Sequence, residues 1–190
     1  MKTRNIFKKS ATTRNFLALL TVGLLTLSCS DDDDNPIAVD EEEVITTMTI
    51  SLTEGSNTVT LETRDLDGDG PNEPVITVEN LAANTTYTGA IVLLNETESP
   101  VENKTSEIAE EDDEHQFFFD VSGAVTSVVY NDADGNGNPL GLSFTLTTGD
   151  AGTGTLRVTL RHEPKKPNDG SLADAGGETD IAQSFTVVVE

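Results

Sequence analysis

Residues 44–190 of this chain predict an all-β antiparallel sandwich of about nine strands, on three observations. Apolar and polar residues alternate with a period of two from Val44 onward. Valine, threonine, isoleucine and phenylalanine dominate those stretches, and turn-forming residues interrupt them at short intervals. Branched and aromatic side chains suit a pleated, half-buried surface, and a period of two puts every second one on the core face.

The strands are predicted over 44–53, 57–64, 74–79, 85–95, 115–121, 124–131, 141–148, 153–162 and 183–189. Glu54-Gly55-Ser56-Asn57, Asp67-Gly68-Asp69-Gly70, Ser122-Gly123, Asp134-Gly135-Asn136-Gly137 and Gly149-Asp150-Ala151-Gly152 separate them, each able to supply positive φ. Residues 102–114 have room for a short helix. Acidic Glu110 to Glu114 would oppose its dipole, so an exposed loop is expected there. The connection 163–182, with Pro164, Pro167, Gly170, Gly176 and Gly177, is long for a compact sandwich and is the expected functional loop.

The run Leu81-Ala82-Ala83-Asn84-Thr85-Thr86-Tyr87 resembles the corner of fibronectin type III and related domains, in which a tyrosine hydroxyl bonds back to the backbone. The resemblance implies an immunoglobulin-like sandwich elaborated with extra strands. It also implies that 75–78 and 87–94 lie in opposite sheets.

The N-terminus reads as export machinery. Lys2, Arg4, Lys8, Lys9 and Arg14 precede the apolar stretch Phe16 to Leu27, which is too short to cross a hydrocarbon core of roughly 30 Å and fits a signal peptide over 1–28. Leu25-Thr26-Leu27-Ser28-Cys29 resembles the lipobox of bacterial lipoproteins in the looser form of the Bacteroidetes. Ser30 with Asp31, Asp32, Asp33 and Asp34 resembles the surface-export signal of that group. The resemblance implies lipidation at Cys29, an outer-membrane anchor and exposure at the cell surface. Residues 29–43, acidic and broken by Pro36, are the expected tether, and 44–190 the folded domain.

Charge narrows the partners. The chain has 34 acidic and 11 basic residues; five of the basic ones lie in the signal, leaving six and a net charge of −28 beyond it. Nucleic acid is therefore excluded as a partner, and so is docking on anionic lipid through basic residues. Cys29 is the sole cysteine, so disulfides do not contribute.

Two loops space oxygens as a hard cation would need. Asp65, Asp67 and Asp69 can converge on a cation in the first, with Gly70 allowing the bend, and Asp132, Asp134 and Asn136 repeat the spacing in the second. Neither completes an EF-hand: Ile76 and Ser143 stand where the bidentate glutamate belongs. The loops therefore offer calcium sites or, alternatively, turn geometry alone.

The two histidines share the parity of apolar neighbours. His115 aligns with Phe117, Phe119 and Val121 at the start of one strand, and His162 with Leu156, Val158 and Leu160 at the end of another. If those strands are antiparallel neighbours, the imidazoles meet at a sheet rim, with Glu114, Glu163, Glu178 and Asp180 nearby. Such a set suits zinc or another divalent transition metal, and an open pair could ligate haem iron. The alternative is that each histidine caps its strand end by hydrogen bonding.

The lipidation signal, Asp65 to Pro71, Glu73-Pro74-Val75-Ile76-Thr77-Val78, Asp113-Glu114-His115-Gln116, Leu160-Arg161-His162-Glu163-Pro164 and Ala175-Gly176-Gly177-Glu178-Thr179-Asp180 together resemble a family of small flavobacterial lipoproteins. Members are often labelled type 1 periplasmic binding fold proteins, a label at odds with a chain lacking helical periodicity. The resemblance implies a nutrient-capturing surface lipoprotein serving a TonB-dependent receptor. No nucleophile elbow, Walker loop or dinucleotide fingerprint is present, and the expectation is a noncatalytic binding module for a metal or metal complex. The rival expectation is a structural or adhesive sandwich with at most calcium in its loops.

Overall fold

The computed structural model describes residues 43–68 and 70–190. The signal segment, Cys29, Ser30 and Asp31 to Asp34 lie outside the described residues, as does Asp69. Strands β1 (Thr47–Glu54) and β2 (Asn57–Arg64) form a hairpin closed at Glu54↔Asn57, where Gly55 adopts φ +57°. Strand β3 (Val75–Val78) extends the sheet beyond β2, and β4 (Thr86–Asn95) pairs with the other side of β1. The short β5 (Glu102–Asn103) pairs with β4 and leads into helix α1 (Lys104–Glu110). Strands β6 (His115–Gly123), β7 (Val125–Tyr130), β8 (Ser143–Thr148) and β9 (Gly152–His162) follow, then helix α2 (Leu172–Ala175) and β10 (Glu178–Val189).

The strands form two antiparallel sheets. One has seven strands in the order β3-β2-β1-β4-β8-β7, with β5 paired to β4, and the other has three in the order β10-β9-β6. The chain changes sheet between β6 and β7 at Gly123, whose φ is +64° and where a Cβ would stand 2.3 Å from the Thr153 carbonyl oxygen. A residue without a side chain is needed there on both counts.

Alternation delivers the core as expected. Met48, Ile50 and Leu52 of β1, Ile91 and Leu93 of β4 and Phe144 and Leu146 of β8 are buried, as are Phe117, Leu156, Val158, Leu160, Phe185 and Val187 from the smaller sheet. Gly89 lies opposite Phe144 across the β4–β8 pair, and the phenylalanine ring fills the space its side chain would need: a Cβ would meet the ring at 2.4 Å.

Three expectations are corrected. Residues 104–110 form a helix, because tertiary docking outweighs the unfavourable acidic end. Asn103 caps it by accepting from the Thr105 N–H, Thr105 Oγ1 accepts from the Leu93 N–H at 2.8 Å, and Ile108 is fully buried. The corner tyrosine does form its bond, with the Ala82 N–H donating to Tyr87 Oη at 2.8 Å, but β3 and β4 lie in the same sheet. The corner reaches the other sheet through its own backbone: Leu81 N–H donates to Val188 O, and Glu190 and Ala83 N–H groups to Leu81 O and Glu190 O, all at 2.9 Å. Finally, the expected loop 163–182 is shorter, since β10 begins at Glu178 and takes in Asp180.

Candidate metal centre

The first strand of the smaller sheet and the last residue of its central strand bring the histidines together. His115 and His162 are direct Cα partners in the β6–β9 ladder, and their parity turns both toward the core end of the sandwich. The rings stack with centroids 4.7 Å apart and planes 20° from parallel. His115 is fully buried and His162 is 9% exposed.

Asp180 reaches the pair through a β-bulge. The β9–β10 register runs Glu178↔His162 and Thr179↔Arg161, then resumes at Ile181↔Leu160, so Asp180 is the extra residue. Phe185, Val187 and Val189 set an odd-numbered inward parity on β10, which would turn Asp180 outward; the bulge reverses it. Its side chain is fully buried, with Oδ2 3.9 Å from His115 Nε2 and Oδ1 4.0 Å from His162 Nδ1. One ligand atom from each of the three residues falls within 4.8 Å of the others.

The backbone fixes the His115 tautomer. Its Nδ1 lies 3.2 Å from the Glu111 carbonyl oxygen, which can only accept, so Nδ1 carries the proton and Nε2 presents its lone pair. That Nε2 is buried and has no hydrogen-bond partner among the described residues. Burial pushes the His115 pKa down, as does His162, against the Glu111 carbonyl bond and Glu114, which act upward. The neutral imidazole is the metal-ligating form, and a carbonyl on its far nitrogen is the usual partner of such a ligand.

A second convergent group, Glu43, Glu111 and His115, lies on the other side of the same ring. It would need Nδ1, which the Glu111 carbonyl occupies, and Glu43 is held by Lys104 at 2.9 Å. The group containing Asp180 is therefore the better ligand set. A tetrahedral site with bonds of about 2.0–2.1 Å separates its ligand atoms by roughly 3.3 Å, so closure from within 4.8 Å requires the ligand atoms to approach one another by up to about 1.5 Å.

The other predicted ligands stand elsewhere. Glu163 is exposed at a backbone φ of +47°, with its N–H donating to the Glu114 carbonyl oxygen at 2.7 Å. Glu178 is the Cα partner of His162 but its residue is exposed, and neither glutamate joins a convergent group among the described residues. Glu114 approaches instead, with Oε2 4.0 Å from His162 Nε2 at the mouth of the site. Glu111, which orients His115, escaped the sequence reading; its spacing four residues before a histidine was the available signal. Haem does not fit. Axial imidazoles point nitrogen to nitrogen across a macrocycle, whereas these rings stack face to face with almost no exposure.

The calcium loops serve backbone geometry. Asp132 accepts from the Gly141 and Ser143 N–H groups at 2.7 and 2.8 Å, one on each oxygen. Asp134 accepts from the Asn136 and Asn138 N–H groups at 2.9 and 2.8 Å and from Asn138 Nδ2, while Lys166 Nζ stands 3.4 Å away. Asp67 accepts from Asn72 Nδ2 at 2.6 Å, and Asp65 from the Asp67 N–H at 3.3 Å. Asn136 contributes its N–H to Asp134, and none of Asp65, Asp67, Asp132 and Asp134 belongs to a convergent group of histidine and carboxylate ligands among the described residues. Turn geometry is thus the reading their contacts support.

No family model, no curated protein and no solved structure matches this chain.

Proposed function

We propose that this chain is a noncatalytic, surface-anchored lipoprotein that binds a divalent transition metal of the zinc class through His115 Nε2, His162 and Asp180. The observation that carries the reading is the buried His115 Nε2, its lone pair left available by the Glu111 carbonyl bond, with the buried Asp180 carboxylate 3.9 Å away and the His162 ring stacked beside it. Three protein ligands leave a coordination position open, as an exchangeable rather than a sealed structural site requires. Lipidation at Cys29 and export through Ser30 to Asp34 would put this site outside the outer membrane. Delivery to a TonB-dependent receptor follows by analogy with lipoproteins of that kind. A structural or adhesive module is the rival, and the contacts of Asp132 and Asp134 favour it only in showing that those loops are built for shape.

The test is calorimetric titration of the full chain, purified in detergent, with zinc in the presence of excess calcium to mask the acidic surface. Stoichiometric zinc binding that is lost in His115→Ala and in Asp180→Asn supports the proposal. Retention of the same binding in both variants, or no zinc binding above that of calcium, overturns it in favour of the structural module.

A further inference from the structure

On the face of the smaller sheet turned away from the histidines, β9 presents Arg157, Thr159 and Arg161, every second residue of the strand. Across from them on β6 stand Asp120, Phe118 and Gln116 in that order. The segment 163–177 folds back over this face. Asn168 Nδ2 donates to Gln116 Oε1 at 2.8 Å, Lys165 pairs with Asp174 at 3.0 Å, and the Lys165 N–H donates to the Ala175 carbonyl at 2.7 Å. Between segment and sheet lies a cavity of about 440 Å³ whose walls include Phe118, Asp120, Arg157, Thr159, Ser171 and Leu172. That volume falls within the range of sites for small organic ligands.

Two features of the cavity wall point to a ligand. Thr159 is 3% exposed, and its Oγ1 is buried with no hydrogen-bond partner among the described residues. A buried hydroxyl left in that state is destabilising unless something accepts from it. The second feature is Arg157, whose side chain makes no hydrogen bond or ion pair among the described residues. Asp120, its Cα partner, stands within the same cavity without an ion pair to it. Arg161 likewise uses Nη1 on the Gly177 carbonyl and Thr179 Oγ1 and has no carboxylate partner, whereas Arg64, Lys104, Lys165 and Lys166 each have one. In a chain with 34 acidic residues, cations without carboxylates mark one face.

We infer that this cavity binds a small organic monocarboxylate with an apolar body, its carboxylate held by Arg157 and Thr159 and its body against Phe118 and Leu172. Guanidinium and hydroxyl are donors, and a carboxylate is the acceptor-only group that satisfies both. Asp120 repels a dianion, which restricts the ligand to a single charge. The acidic surface elsewhere does not forbid this, since exposed charges are screened beyond about 8 Å at physiological salt. The inference is independent of the metal site, whose ligands face the opposite side of the sheet.

The test is ligand titration by two-dimensional NMR on the full chain in detergent, comparing benzoate with its neutral isostere benzamide and subtracting each compound's effect on detergent alone. Benzoate is expected to shift the Phe118, Thr159 and Leu172 amides and to bind at least tenfold more tightly than benzamide. Arg157→Gln should remove that tenfold preference, and Thr159→Val should weaken benzoate about threefold; Arg157 is exposed, so its variant retains the fold, which the unperturbed core resonances verify. Equal binding of the two compounds, unchanged benzoate affinity in Arg157→Gln, or shifts confined to other residues would each overturn the inference. So would the absence of benzoate binding up to about 10 mM, a threshold near −2.7 kcal/mol.

Discussion

Replacing Asp134 by asparagine isolates one buried charge that organises the loop between β7 and β8. The Asp134 side chain is fully buried and accepts from the Asn136 N–H, the Asn138 N–H and Asn138 Nδ2, while Lys166, itself 6% exposed, stands 3.4 Å away and donates to the Asp112 carbonyl. Burial raises the carboxyl pKa, but the Asn138 and Asn136 hydrogen bonds and the Lys166 ammonium outweigh it and bring it down to about 2 from an ordinary 3.8. That depression, at about 1.4 kcal/mol per pH unit, makes ionised Asp134 worth roughly 2–3 kcal/mol of stability near neutrality. Because the folded-state value is the depressed one, that stability is fully present above pH 3.8 and is lost as pH falls through about 2. Asp134→Asn keeps the shape but removes the charge and turns an amide donor toward Asn138 Nδ2 and Lys166. Urea unfolding of both proteins at pH 7, 4, 3 and 2 is the assay, with the other carboxylates cancelling in the difference. The variant should be about 2–3 kcal/mol less stable at pH 7, and most of that gap should be gone at pH 2. A gap of the same size at both ends of the range would refute the electrostatic account and assign the cost to loop shape.

Two further substitutions probe the scaffold. Tyr87→Phe removes the acceptor of the Ala82 N–H and should cost about 1–2 kcal/mol in urea unfolding with an unchanged m-value; a loss below about 0.5 kcal/mol would show that the corner is held by the Leu81 to Ala83 backbone bonds instead. Gly89→Ala drives a methyl into the Phe144 ring and should cost about 1–3 kcal/mol by thermal or urea unfolding; a neutral result would mean that the ring swings aside without penalty.

The sandwich was legible in the sequence because alternation along each strand and turn chemistry between strands are local properties. The same parity placed both histidines on the core face, and antiparallel pairing of their strands then made them neighbours. Asp180 was named from proximity alone. Its inward orientation depends on a bulge that the pairing of β10 with β9 creates, and one inserted residue is invisible to a pattern of period two. Helix α1 was missed for a related reason: its acidic end argues against a helix taken alone, while Ile108 and Thr105 dock it on the larger sheet.

By itself the sequence determined the all-β class, the alternation that fills the core and the excess of negative charge, all of which follow from residue order or count. Only the tertiary structure decided which oxygens are committed to backbone N–H groups, which imidazole nitrogen keeps its lone pair and which arginine lacks a carboxylate. The Glu111–His115 contact spans only four residues, but the rest depend on contacts between residues far apart in the chain, such as His115 with Asp180 or Asp134 with Lys166, and no local pattern encodes such distances.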